Sequence, residues 1–386
     1  MEHVDVAVVG LGALGSATTY QLARRGVDVM GLEQFELGHV RGASHDTSRI
    51  VRRAYERPEY VRLADAAYRD WADLQTVTGE HLLTPTGGLT FCPADGPVPA
   101  SDYLGSLRAV GCDVEELDQA ALARRFPAFR VPEDVTAVYD PSSGIVHANR
   151  TVATLQLHAR VAGAQLRPRC PVSAVDDSAG DGVVLSTAAG PVHASTVVLC
   201  TDAWTPKLLA PLGVTVPLRV MQEQVTYFAP DSPADFAPGE FPIWIWQGDF
   251  CFYGFPTYGE PTIKAARDVS EVLTDPDART FVPHPERLEQ LRAFMAATVP
   301  GSGPALRTVT CQYTLTPDRD FVIDAVPGHP DLLLGLGAAH AFKFTPTFGR
   351  VLADLATTGV SDEDLSLFRA DRPALTAPAL AAAGQA

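Results

Sequence analysis

Residues 4–9 (Val-Asp-Val-Ala-Val-Val) form a short β-branched run that stops abruptly at Gly10-Leu11-Gly12-Ala13-Leu14-Gly15. Helix-forming residues follow from Ser16 to Arg25, Gly26 ends them, and a second apolar run at 27–32 leads into Glu33. This spacing predicts a strand–turn–helix–strand unit of about thirty residues with the glycines at the turn. Gly10 permits the tight turn, Gly12 lets the backbone approach a pyrophosphate, and Gly15 lets helix and strand pack closely, while the helix N-terminus faces the phosphates. Glu33, 18 residues beyond Gly15, can accept hydrogen bonds from a ribose diol. Glycine-rich turns also occur at ordinary strand–helix junctions. Here strand, helix, second strand and terminal acid agree, and the expectation is a bound dinucleotide. A nicotinamide dehydrogenase would continue with another strand–helix unit, whereas residues 36–48 read as a polar, glycine-containing loop. That interruption favours FAD.

The remainder bounds the class of protein. A chain of 386 residues suggests two domains. Thirty Lys and Arg against 46 Asp and Glu give a net charge of −16, which argues against nucleic acid as a partner. Six scattered cysteines offer neither a CxxC pair nor a zinc site, so no metal is expected. No basic leader, membrane-length apolar run or peroxisomal C-terminal address is visible, and a reduced, cytoplasmic protein is expected. Helices are predicted at 59–78, 101–109, 285–298 and 347–358. A hairpin is predicted from 182–186 and 191–194, with a separate buried strand at 196–200. Residues 220–228 and 241–255 are strand-like. Trp244 and Trp246 read first as core residues and second as the floor of an aromatic pocket.

Five motifs in order carry a resemblance: GLGALG (10–15), HDTSRIVRRAY (45–55), FYGFP (252–256), CQYTLTPDRDFVID (311–324) and GLGAAHAFKF (335–344). In these the chain resembles the monomeric sarcosine oxidase and N-methyltryptophan oxidase family of flavoenzymes, within the D-amino-acid-oxidase-like group. The resemblance implies an interleaved α+β fold. A Rossmann-like FAD-binding domain would comprise 1–82, 145–215 and 315–386. A mainly antiparallel substrate domain would comprise 83–144 and 216–314.

The resemblance also assigns roles, each beside a plainer reading. Arg49 and Arg52 would lie beside the flavin ring, Arg52 binding the substrate carboxylate; otherwise they form a solvated basic face. A guanidinium suits the task because its planar fork matches a carboxylate and keeps its charge. Lys343, in the apolar stretch Ala341-Phe342-Lys343-Phe344, needs an anionic or polar partner and would complete the carboxylate clamp; otherwise its stem snorkels outward. Cys311 would form a thioether to FAD; otherwise it is a small buried hydrophobe. Tyr313, two residues on, would share its face of the strand. Lys264 would lie over the flavin and stabilise charge developing on dioxygen, against the commoner fate of a surface lysine. Tyr253 would be an active-site tyrosine or a core aromatic. His340, like His45, is read as a positioning group, and no catalytic base is nominated. Ala43, Ser44 and Ser48 would lie on the cofactor loop, and the main chain of Val172 would meet adenine.

Three positions depart from the family pattern. Asp268 stands where sarcosine-type enzymes carry histidine, although the piperideine-carboxylate oxidase branch is similar in having an acid there. Ala339 and Asp202 each replace a glycine, and Asp202 is expected to affect only the cofactor loop. The implied function is an FAD-dependent oxidase of L-amino acids bearing a secondary amine, N-methylated or cyclic, releasing hydrogen peroxide. A small-molecule substrate, dioxygen and a monomeric state go with it, without a membrane. Four rivals remain at this point: a flavin dehydrogenase, an imine or piperideine-carboxylate oxidase of a biosynthetic pathway, a non-catalytic flavin-binding subunit, and a nicotinamide-dependent dehydrogenase, which would leave Cys311 without a role.

Overall fold

The computed structural model describes residues 1–178 and 180–376; the C-terminal tetrapeptide lies outside this range. The opening unit forms as its residues require. Strand Glu2–Val9 ends at Gly10, whose φ of +90° is left-handed and where a Cβ would sit 2.5 Å from the Cys200 carbonyl. Helix Ala13–Arg24 follows, and a Cβ on Gly15 would stand 1.8 Å from the Gly10 carbonyl, so only glycine lets helix and strand approach this closely. Strand Val29–Leu32 then pairs parallel with the first.

These elements belong to an eight-stranded sheet. Its path runs Val172–Asp176, Val183–Thr187, Val192–Leu199, Glu2–Val9, Val29–Leu32, Gln165–Arg167, with His329–Leu336 and Val322–Val326 joined at Val192–Leu199. The hairpin strand and the buried strand expected separately around residue 195 are one continuous strand. Its first half pairs antiparallel with Val183–Thr187 and its second half parallel with His329–Leu336. No Gly or Pro interrupts His193-Ala194-Ser195-Thr196, so nothing ends the strand there. Helices Ala13–Arg24, Ala148–Val161 and Thr345–Thr358 pack together, with Gly349 admitting the backbone of Ala17. Phe348, Val351 and Leu352 are fully buried in that contact layer. Each contributes roughly 1.5–3 kcal/mol by burial.

A second eight-stranded sheet runs Ala305–Leu315, Arg219–Phe228, Ile263–Arg267, Cys251–Phe255, Ile243–Gln247, Gly88–Pro93, Val135–Asp140, Glu115–Leu117. It is antiparallel except where Ile243–Gln247 meets Gly88–Pro93. Alternation along its strands separates two faces. Trp244, Trp246 and Phe252 lie against Phe294 of helix Pro285–Thr298, with ring centroids 4.1–5.8 Å from it. The tryptophans are therefore core residues. The opposite face carries Cys311, Tyr253 and Lys264. A small sheet of Arg49–Val51, Gly144–Val146 and Leu83–Pro85 lies beside it and presents the arginine cluster. No helix among the described residues is long and apolar enough to cross a membrane.

Candidate active site

A cavity of about 1070 Å³ extends from the Gly10–Gly12 turn to that second face. This is just above the roughly 300–1,000 Å³ usual for small-ligand pockets, as a site for a large cofactor together with a small substrate requires. At the turn, Ser44 Oγ accepts from the Ala13 amide at 2.9 Å, and a Cβ on Gly12 would approach that hydroxyl to 3.0 Å. Helix Ala13–Arg24 has no acidic residue in its first turn, which leaves its dipole available to an anion. Glu33 accepts from the amides of Leu11 (2.9 Å) and Phe35 (3.0 Å). Burial opposes its charge, yet the nearby His39 and these amides outweigh it and hold the carboxyl below the usual range. Ala43, Ser44 and Val172 also line the cavity. Gly15 is absent from the wall and acts through packing, and Ser48 contributes its carbonyl to two cations rather than a surface to the cavity.

On the sheet face, Cys311 is buried and its thiol is pushed up to about 11 by desolvation, which Arg49 partly offsets. Arg49 donates to the carbonyls of Ser48 and Ala43, both at 3.0 Å. Lys264 is not a surface residue: it is 3% exposed, and its Nζ donates to Asp46 Oδ2 at 3.0 Å and to the Ser48 carbonyl at 2.9 Å. Burial lowers its pKa to about 8, against the pull of Asp46. Asp46 also accepts from the Tyr227 hydroxyl at 2.5 Å. Burial alone would raise its carboxyl, but Lys264 and Arg49 hold it well below the usual range. Tyr253 and Tyr313 place their hydroxyls 3.3 Å apart on the same wall.

At the far end two cations flank one ring. The Arg52 guanidinium lies 4.4 Å, and Lys343 Nζ 5.6 Å, from the centroid of Tyr55. Lys343 finds a polar partner in the His340 carbonyl at 2.7 Å, and burial together with Arg52 lowers its pKa well below the ordinary value. His340 Nε2 lies 2.9 Å from the Arg319 carbonyl, which can only accept, so Nε2 carries the proton and Nδ1 accepts from the Tyr55 hydroxyl at 3.2 Å. Burial and Lys343 keep that imidazole neutral. Asp268 is paired with Arg319 Nη2 at 2.9 Å on the cavity wall. Ala339 has a φ of +69°, so an alanine occupies a left-handed position that favours glycine. Asp202, at φ +46°, does more than shape the cofactor loop. Its carboxyl accepts from Thr314 Oγ1 at 3.0 Å and so ties that loop to the second sheet, while burial raises its pKa to about 6.

The residues present suit FAD: a glycine cradle at a helix N-terminus with no acid in its first turn, a buried acid just after the second strand, and a thiol and cations on the facing sheet. The pattern of the family described as FAD dependent oxidoreductase matches residues 5–355. The chain belongs to this family. It is 36% identical over 377 residues to a monomeric sarcosine oxidase of Streptomyces avermitilis, covering 94% of this chain and 96% of that one. It is 33% identical over 379 residues to a monomeric sarcosine oxidase of Bacillus sp., covering 97% of each. The solved structure of NikD, an amino acid oxidase essential for nikkomycin biosynthesis, superposes with a TM-score of 0.84 at 28% identity, covering 96% of this chain and 98% of that one. The chain is thus an FAD-dependent oxidoreductase.

Two site residues escape the sequence reading. Asp46 lies inside a quoted motif, and only the burial of Lys264 in the structure shows that the lysine needs this anion. Arg319 also lies inside a motif, and its only pointer in the sequence is the acid at Asp268 that departs from the family histidine.

Proposed function

We propose that the chain oxidises the Cα–N bond of L-amino acids bearing a secondary amine, with FAD attached through Cys311 and dioxygen as the electron acceptor. FAD, when bound, supplies the two-electron acceptor. The observation that carries the reading is the placement of Arg52 and Lys343 about one Tyr55 ring on the cavity wall. Two cations converging there match a single carboxylate, and an anion between them restores charge to the buried lysine. Arg52 also donates to the Ala54 carbonyl, which orients its guanidinium. Neutral His340 holds Tyr55 through its Nδ1 and Arg319 through its Nε2, so it positions the clamp and carries no proton for the reaction. The substrate amine loses its proton so that its lone pair can support departure of hydride from Cα. Lys264 supplies a cation to charge developing on dioxygen, with Asp46 keeping it protonated. The sequence segments named above remain the domain boundaries we favour. Six free cysteines support a reduced, cytoplasmic setting, and the monomeric relatives support a monomer.

N-methyl amino acids and cyclic imino acids both suit the clamp; relatives named sarcosine oxidase and N-methyl-L-tryptophan oxidase favour the first. A peroxide-coupled screen over sarcosine, N-methyl aromatic amino acids, proline, pipecolate and unsaturated ring analogues tests the reading. Peroxide from at least one such acid is expected. Silence from the whole panel, by a yellow and folded protein, refutes it.

A further inference from the structure

Glu223 is a buried carboxyl with no part in the chemistry above. It sits on strand Arg219–Phe228 directly opposite Cys311 of the neighbouring antiparallel strand. Opposed residues of such a pair share one face of the sheet, with Cβ atoms about 4.5–5.5 Å apart. Glu223 is 3% exposed and absent from the cavity wall, so it serves neither bulk solvent nor the substrate end. Its carboxyl is fixed by the Ser270 amide at 2.8 and 3.0 Å and by Ser270 Oγ at 2.9 Å. Holding a carboxyl in a dry sheet face beside a thiol costs free energy and calls for a role.

Thioether formation requires one. A thiol pushed up to about 11 is almost wholly protonated at neutral pH, and its proton needs a destination. The other acids and the histidine nearby are badly placed or badly matched. Asp46 is locked by Lys264 and Tyr227, and His45 is held down near 4 by burial and Arg49. Asp202 bonds Thr314, on the opposite face of Cys311's strand. Asp268 is engaged by Arg319. Glu223, raised to about 7 by desolvation against the pull of Ser270, changes protonation where the protein works.

We propose that Glu223 is the proton acceptor for the Cys311 thiol when the thioether to FAD forms. The inference rests on the reading of Cys311 as the attachment residue. The sulfur bonds to the 8α carbon of the isoalloxazine while the thiol proton passes to Glu223 and a C–H proton leaves that carbon. The electron pair released reduces the ring, and dioxygen takes the pair with two protons to become hydrogen peroxide. Arg49, close enough to favour the thiolate, stabilises the sulfur's charge on the way.

The test uses full-length chain produced without flavin, mixed with FAD, quenched in acid and weighed by mass spectrometry. The wild type gains the mass of FAD, at a rate that rises with pH through about 7 as Glu223 loses its proton. The other groups facing it are Cys311 and Tyr313, raised well away from 7, the Asp268–Arg319 pair, and Arg267. Glu223→Gln binds FAD and turns yellow but attaches it at least about 100-fold more slowly. Ser270→Ala removes a donor to the carboxylate and moves the rise to higher pH; it decides the question if Glu223→Gln does not fold. Attachment at the wild-type rate in Glu223→Gln, or an unmoved midpoint in Ser270→Ala, overturns the proposal alone. A wild type that never gains mass overturns the attachment reading with it.

Discussion

Replacing Asp46 by asparagine isolates what holds the charge on Lys264. The Nζ–Oδ2 distance is 3.0 Å, and the two side chains are 3% and 10% exposed. At that separation the attraction is about 5 kcal/mol at an effective dielectric near 20. Removing one partner of such a buried pair destabilises by roughly 3–5 kcal/mol, because the other charge is left without compensation. Burial already lowers Lys264 to about 8 with Asp46 in place. In Asp46→Asn the lysine therefore relieves the strain by losing its proton, and at pH 7 the cation offered to dioxygen is gone. The assay is anaerobic reduction by substrate followed by rapid mixing with oxygenated buffer. Reduction should change by less than about threefold, while reoxidation falls by about 100-fold, the usual effect of losing one preorganised charge. Reoxidation should recover on acidification in Asp46→Asn but not in Lys264→Met, and in the wild type it should decline as pH rises through about 8. Wild-type reoxidation by Asp46→Asn at pH 7 would refute the reasoning.

Further outcomes follow from the same geometry. Cys311→Ala should bind FAD yet lose its colour to the supernatant on acid precipitation, and retained colour would place the attachment elsewhere. Lys343→Met removes a charge-assisted contact worth roughly 1.5–3 kcal/mol and should raise KM by about 10–150-fold, measured by initial rates. Asp202→Asn should flatten stability between about pH 4 and 6, measured by urea unfolding. A carboxyl raised in the folded state binds extra protons there, so its stabilisation is complete below the unfolded value and disappears as pH climbs through about 6.

Local chemistry made much of the fold readable. Helix Pro285–Thr298 was legible because proline opens it, and the opening unit because its glycines fall where close approach demands them. The continuity of the strand around residue 195 is not legible, because its edge changes partner midway, from an antiparallel neighbour to a parallel one, and such a change leaves no mark in composition. In the site, Lys264 and Asp46 are separated by 218 positions, so nothing in the spacing joins them. The same holds for Asp268 and Arg319, 51 positions apart. Trp244 and Trp246 could be placed only once the opposite face of their sheet proved to hold the cavity. The polar residues whose partners come from distant segments of the chain were the illegible part, because pairing across the chain is decided by topology.

The most direct measurement mixes the FAD-loaded protein anaerobically with secondary-amine L-amino acids and then admits air. The account predicts that at least one acid bleaches the flavin band, and that colour returns promptly with one peroxide released per molecule oxidised. Bleaching without prompt return of colour, or no bleaching by any member of the panel, contradicts it.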